Sequence, residues 1–174
     1  MIENLTETIH GTLLSVYGTG VLIRGESGTG KSECALELVS RGHALVADDA
    51  VALERIGSTL YGSAPTAFTG LLEIRGLGIR DIREVYGNSS VVDECEIDVN
   101  IELRSVKNDE ELERLGGEPT EIDILGVRLP HFVISNSNRR QMPVIVEFAV
   151  KIIRMSNRSA DIDLIENYDR SLVS

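Results

Sequence analysis

Gly25-Glu26-Ser27-Gly28-Thr29-Gly30-Lys31-Ser32 fits the spacing G-x-x-x-x-G-K-[ST]. Those residue types at that spacing suit one task, which is holding the phosphates of a nucleoside triphosphate. Glycines let the backbone curl until successive N–H groups face one point. Lys31 brings a compact positive charge to the outer phosphates, and the Ser32 hydroxyl is an oxygen ligand for Mg²⁺. Gly25, Glu26, Ser27, Gly28, Thr29, Gly30, Lys31 and Ser32 are therefore the candidate nucleotide-binding residues. The pattern names a ligand class and leaves the reaction open.

Further charged residues could supply the chemistry. Asp48-Asp49 ends the short apolar run Ala44–Ala47. A carboxylate at a strand end beside a phosphate loop can hold Mg²⁺ directly or through water. An adjacent one can accept the proton of an attacking hydroxyl. The plainer reading is a solvated strand end. In Leu71-Leu72-Glu73-Ile74-Arg75-Gly76-Leu77-Gly78-Ile79, Glu73 and Arg75 share one face of an extended segment. Gly76 and Gly78 would let a ligand approach the backbone, although an edge strand with a surface ion pair fits equally. His10 could bond a phosphate or shuttle a proton. Arg114 and the pair Arg139-Arg140 could neutralise charge on a transferring phosphoryl group. Each of these, alone, also fits an exposed surface charge.

The elements that must position these residues are legible in outline. Val21-Leu22-Ile23 reads as a buried strand before the glycine-rich loop. Lys31 to Arg41 places Cys34, Ala35, Leu38 and Val39 at helical spacing, with Gly42 as a stop. Val51-Ala52-Leu53 and Thr59-Leu60-Tyr61 flank Gly57-Ser58 as a hairpin. Ile97, Val99, Ile101 and Leu103 alternate with polar residues as a half-buried strand. Asn108 to Leu115 reads as a charged helix closed by Gly116-Gly117, and Glu121 to Ile134 as one or two strands. Val144, Ile145, Phe148, Ala149, Ile152 and Ile153 mark the apolar face of a helix with Pro143 in its first turn. Few helices separate successive strands, which disfavours a regular doubly wound parallel sheet. The expectation is an α/β protein: one domain, with a mixed, largely antiparallel sheet and a few packed helices. Residues 1–156 form its body, and 157–174 form a tail or short docking helix of the same domain.

Composition narrows the function. With 17 Lys+Arg against 28 Asp+Glu, the net charge is −11, which argues against a nucleic-acid partner. No apolar run reaches the roughly 18 residues of a membrane span and no signal peptide opens the chain, so a cytoplasmic protein is expected. Cys34 and Cys95 are expected to be free thiols. Any anionic ligand must be held locally, against the overall field.

Several segments in order resemble one family, the catalytic domain of HPr kinase/phosphorylase. They are His10-Gly11, Val16-Tyr17-Gly18, Gly20-Val21-Leu22-Ile23, the glycine-rich loop with Glu33, Ala35-Leu36-Glu37-Leu38, and Arg41-Gly42-His43. Asp48-Asp49, Leu72 to Ile79, Arg114-Leu115-Gly116 and the helix holding Val144 to Glu147 continue the series. The resemblance implies a P-loop kinase fold similar to that of phosphoenolpyruvate carboxykinase. It implies an enzyme that uses ATP and Mg²⁺ to phosphorylate a serine of the carrier protein HPr. It also implies the reverse step, in which inorganic phosphate attacks phosphoserine and pyrophosphate leaves. Lys31 would hold phosphates, while Ser32, Glu73 and Asp48 would bind the metal. Asp49 would serve as general base forward and acid in reverse, with His10, Arg114 and Arg140 at catalytic positions. A homo-oligomer, by resemblance a hexamer, is implied as well. Arg139 and Gln141 depart from the Gly and Asn usual on either side of the family arginine, here Arg140. Longer members carry an additional N-terminal domain that the resemblance does not place within these residues. A serine kinase of the same fold acting on another protein, and a nucleotide-sensing module without transfer, are the competing readings.

Overall fold

The computed structural model describes residues 4–115, 120–137 and 139–172. Six strands form its central sheet: β2 (Thr12–Val16), β3 (Thr19–Arg24), β4 (Ala44–Ala47), β10 (Val99–Arg104), β11 (Thr120–Ile124) and β12 (Val127–Ser135). Their order is β11-β12-β10-β3-β2-β4; β3, β10 and β12 run parallel, and the other neighbours are antiparallel. A second, wholly antiparallel sheet has the order β1-β5-β6-β9 and consists of β1 (Leu5–His10), β5 (Ala50–Ile56), β6 (Thr59–Ser63) and β9 (Glu94–Glu96). A separate hairpin pairs β7 (Leu71–Ile74) with β8 (Gly78–Asp81). The helices are α1 (Lys31–Ser40), α2 (Arg83–Tyr86), α3 (Asp109–Leu115) and α4 (Met142–Leu172). None of the described helices is long and apolar enough to cross a membrane.

Strand alternation builds two cores from the same strands. Leu14, Val16, Val21 and Ile23 face α1 and α4, where they pack with Cys34, Leu38, Met142, Val146 and Val150. Leu13 and Leu22 face the second sheet and meet Val51, Leu53, Leu60 and Ile97. The central sheet thus lies between a helical layer and an antiparallel layer. Both of its central strands are covered on both faces, which explains why β3 reads as a continuous apolar run.

The expected single sheet is therefore divided. The division occurs at Asp48-Asp49, where Asp49 takes a left-handed φ of 66° and Ala50 N–H donates to the Asp48 carbonyl at 2.8 Å. That turn carries the chain from the edge of the central sheet into the second one. Leu71 to Ile79 is a hairpin and not one strand. Gly76 and Gly78 adopt φ of 88° and 77°, and Leu77 N–H closes the turn on the Ile74 carbonyl at 2.9 Å. Two strands occupy the region around Glu121 to Ile134. Gly116-Gly117 lie outside the described residues.

Two features of the last helix differ from expectation. It runs unbroken through the 156/157 boundary to Leu172. Its buried face is Met142, Val146, Ala149, Val150 and Ile153, whereas Val144, Ile145 and Phe148 are exposed. Apolar residues surround the helix through its first three turns, so periodicity alone leaves its phase undetermined. Packing on α1 and β12 sets it. Glu147 is buried among these apolar residues and accepts from Arg41 Nε and Nη2 at 2.8 and 2.6 Å. His43 Nε2 lies 2.8 Å from the same carboxylate. These hydrogen bonds, that of Arg41 foremost, hold its carboxyl down at about 2. His43 is thereby a structural residue joining the α1–β4 link to α4. Cys34 and Cys95 are free, and burial pushes both thiols up to about 12, so neither is a ready nucleophile.

Candidate active site

β3 delivers the glycine-rich loop to the N-terminus of α1. Gly30 precedes the helix with φ 99°, a conformation open to glycine at little cost. No side chain caps α1, so its first-turn N–H groups lack intrahelical partners and present the positive end of the helix dipole. Thr29 folds the loop back on itself: its N–H and Oγ1 donate to the Glu26 carbonyl at 3.2 and 2.8 Å. Lys31 is buried and donates through Nζ to the carbonyls of Gly25 and Glu26, at 2.8 and 3.0 Å. Burial lowers its pKa, and the nearby carboxylates of Asp48, Asp49 and Glu33 oppose that shift.

The two aspartates at the end of β4 have different surroundings. Asp48 is buried and accepts from Thr12 Oγ1 at 2.7 Å and from Ser32 Oγ at 2.9 and 3.2 Å. Its oxygens therefore lie against the start of α1. Asp49 leaves its side chain 81% exposed. Its backbone carbonyl lies 3.1 Å from Gly11 N–H and 3.0 Å from His10 Nδ1, and its carboxylate lies 3.3 Å from the same ring nitrogen. His10 thus holds the Asp49 turn from the end of β1.

The β7–β8 hairpin forms the opposite wall. Leu72 and Ile82 anchor it in the helix-side core, while Glu73, Arg75, Gly76 and Gly78 face a cleft of about 400 Å³. The other wall of that cleft brings together His10, Ser27, Gly28, Gly30, Lys31, Ser32, Asp48 and Asp49. Residues from four sequence segments thereby meet in one place. Gly25, Glu26 and Thr29 complete the loop behind this surface. Arg114, on α3, and Arg140, in the turn before α4, are both exposed and do not line the cleft. The cleft lining carries four carboxylates, Glu33, Asp48, Asp49 and Glu73, against the two cations Lys31 and Arg75.

Two contributors lack any marked motif. Thr12 is fully buried on β2 beside Asp48; its one signal is a polar residue opening an apolar strand directly after His10-Gly11. Asn136 donates from Nδ2 to the Thr29 carbonyl at 3.3 Å, a contact between residues distant in sequence. Arg139 Nη2 donates to the Gly28 carbonyl at 2.7 Å, so the segment before α4 lies against the outside of the loop.

Comparison with known proteins identifies the family. The model of the HPr serine kinase C-terminal domain family matches residues 3–167. The HPr kinase/phosphorylase of Caldicellulosiruptor bescii is 49% identical over 152 residues, 87% of this chain and 48% of that protein. That of Clostridium tetani is 46% identical over 159 residues, 90% of this chain and 52% of that protein. The chain spans about half the length of these curated relatives. The solved structure of the Hpr(Ser) kinase/phosphatase from Coxiella burnetii superposes with a TM-score of 0.77 at 32% identity, covering 87% of this chain and 99% of that one. The sheets and the helices packed on them thus match a known fold, and the chain belongs to the HPr serine kinase C-terminal domain family.

Proposed function

We propose that this chain transfers the terminal phosphoryl group of ATP to a serine of HPr, and reverses the transfer by phosphorolysis to give pyrophosphate. The observation that carries this reading is the convergence of Lys31, Ser32, Asp48, Asp49 and His10 on one cleft at the N-terminus of α1. The domain is read as a P-loop kinase similar in fold to phosphoenolpyruvate carboxykinase, acting in the cytoplasm as a homo-oligomer, by resemblance a hexamer. A mass measurement in solution tests the assembly.

In this mechanism, Lys31 exchanges the loop carbonyls for phosphate oxygens, and the first-turn N–H groups of α1 add directed donors. The serine oxygen attacks the γ-phosphorus while the bond to the β-phosphate oxygen breaks. The serine proton passes to the Asp49 carboxylate, which is exposed and stands apart from the Ser32–Asp48 contact. His10 keeps the Asp49 turn in place. In reverse, a phosphate oxygen attacks the phosphoserine phosphorus, the serine oxygen leaves, and Asp49 returns the proton. Microscopic reversibility makes one carboxylate sufficient for both directions. Arg114 and Arg140 would assist by neutralising phosphoryl charge, although neither lines the cleft.

The donor set suits Mg²⁺. Ser32 Oγ and the Asp48 oxygens are adjacent hard ligands, and Glu73 faces them from the hairpin. Among the described residues no group of three or more His, Cys, Asp or Glu side chains is assembled for a metal. Asp48 and Glu73 would be the carboxylates that such an ion takes, the rest of its shell coming from phosphates and water. Ser32, Asp48 and Glu73 would hold the ion, which would supply positive charge against the phosphates.

The test is to incubate the chain with γ-labelled ATP, Mg²⁺ and purified HPr, then chase with inorganic phosphate. Label on an HPr serine, released as pyrophosphate in the chase, is the expected result. Unlabelled HPr overturns the kinase reading; label that survives the chase overturns the phosphorolysis reading.

A further inference from the structure

We propose that Arg139, assisted by Asn136, is a positioning residue that splints the glycine-rich loop from outside and fixes two of its peptide planes, so that the Gly30 N–H joins the first-turn N–H groups of α1 that are read as meeting phosphate. The role of those N–H groups rests on the phosphoryl-transfer reading above.

The peptide bond is planar and trans, so its C=O and N–H point in opposite directions. Arg139 Nη2 holds the Gly28 carbonyl at 2.7 Å, which turns the Thr29 N–H the other way, onto the Glu26 carbonyl at 3.2 Å. Asn136 Nδ2 holds the Thr29 carbonyl at 3.3 Å, which turns the Gly30 N–H away from Asn136. Two successive peptide planes of the loop are therefore fixed by one neighbouring segment. That segment also fills the space behind Gly30. A Cβ placed on Gly30 would meet Met142 Cε at 3.1 Å and Arg139 Cδ at 3.7 Å. Gly30 itself lines the cleft, so its backbone separates the splint from the ligand space.

The segment is in turn fixed at both ends. Asn136 N–H donates to the Arg104 carbonyl at 3.0 Å and its side chain reaches Ser105 Oγ at 3.2 Å, which ties it to the end of β10. Met142 is fully buried at the start of α4. Arg139 Nη1 lies 3.9 Å from Glu33 Oε1, both half exposed, a contact too long and too solvated to hold the side chain by itself. The charge-assisted bond to Gly28 is the stronger one. Anion binding by backbone N–H groups needs those dipoles already aligned, since alignment after binding subtracts from affinity. Arg139 acts by that route and needs no contact with the phosphates.

The test compares wild type with Arg139→Ala and Arg139→Lys, using pyrophosphate as the probe. Amide signals of Thr29 and Gly30 in the ligand-free protein report the peptide planes, and calorimetry reports affinity. Arg139→Ala is expected to shift both amides and weaken pyrophosphate binding about tenfold, the scale of one charge-assisted hydrogen bond. Arg139→Lys is expected to restore part of the affinity, since an ammonium can still donate to the Gly28 carbonyl. Turnover at saturating ATP is expected to change less than twofold. Unshifted amides, or wild-type affinity in Arg139→Ala, overturns the proposal. So does a large loss of saturated turnover with unchanged affinity, which would place Arg139 on the reacting phosphoryl group. If the wild-type chain binds no pyrophosphate, the phosphate-loop reading fails, while the amide signals still decide whether Arg139 sets the loop.

Discussion

Asp48 and Asp49 are sequence neighbours with opposite surroundings, and the contrast underlies the roles proposed for them. Asp48 is buried and bonded by Thr12 and Ser32, so it is a fixed oxygen donor beside the phosphate loop. Asp49 is exposed on a left-handed turn, free to meet a substrate hydroxyl. Lys31 shows the same logic for a cation. Burial lowers its pKa in the ligand-free state, and an incoming phosphate raises it again. Lys31 is therefore partly deprotonated at a lower pH than an ordinary lysine, and anion binding restores the proton. Calorimetry of pyrophosphate binding in two alkaline buffers of different ionisation enthalpy is expected to show proton uptake. Lys31→Met is expected to abolish that uptake along with most of the affinity.

α4 is the element where sequence and structure part most clearly. Its helical character was legible from Val144 to Ile153; its phase was not, because apolar residues ring it. Val146 is fully buried and Val144 is 52% exposed. Val146→Ala is expected to cost about 2 kcal/mol, from two lost methyl groups and the cavity they leave. Val144→Ala is expected to stay within about 0.5 kcal/mol; denaturant melts of both variants check the phase. Glu147 links the same helix to Arg41 and His43. Its carboxyl is depressed from the usual 4.5 to about 2. Stability linked to it is therefore complete above about 4.5 and is lost as pH falls towards 2, an effect of roughly 3 kcal/mol. Glu147→Gln is expected to lower stability at pH 7 and to flatten that acid limb. β3, β5, β6, β10 and α1 were readable because each carries a local apolar pattern, whereas β1 and β2 were not read as strands. The hairpin at Leu71 to Ile79 was less so, since Gly76 and Gly78 broke the alternation that would have marked two strands. Within the site, the loop and Asp48-Asp49 carry local patterns. Thr12 and Asn136 join it only through contacts distant in sequence, which no local pattern encodes.

For the whole molecule, the question is how a chain of net charge −11 binds a polyanion. Its cleft repeats the problem locally, with four carboxylates against two cations. On the proposed function, directed backbone N–H groups and Lys31 would answer part of it, and a divalent cation would answer the rest. Removing Mg²⁺ with a chelator is therefore expected to abolish phosphoryl transfer, while the thermal unfolding midpoint of the ligand-free chain moves by less than about 2 °C. Retained transfer without a divalent cation would show that the carboxylates are not metal ligands. The most direct measurement of the central claim compares wild type with Asp49→Asn in both directions, using ATP and HPr forward and phosphoserine-HPr with inorganic phosphate in reverse. Wild type is expected to label HPr and to release pyrophosphate, and Asp49→Asn to lose at least about 100-fold in both rates with ATP affinity largely kept. A wild-type chain that labels no HPr, or an Asp49→Asn variant that keeps the wild-type rate in either direction, would contradict the account.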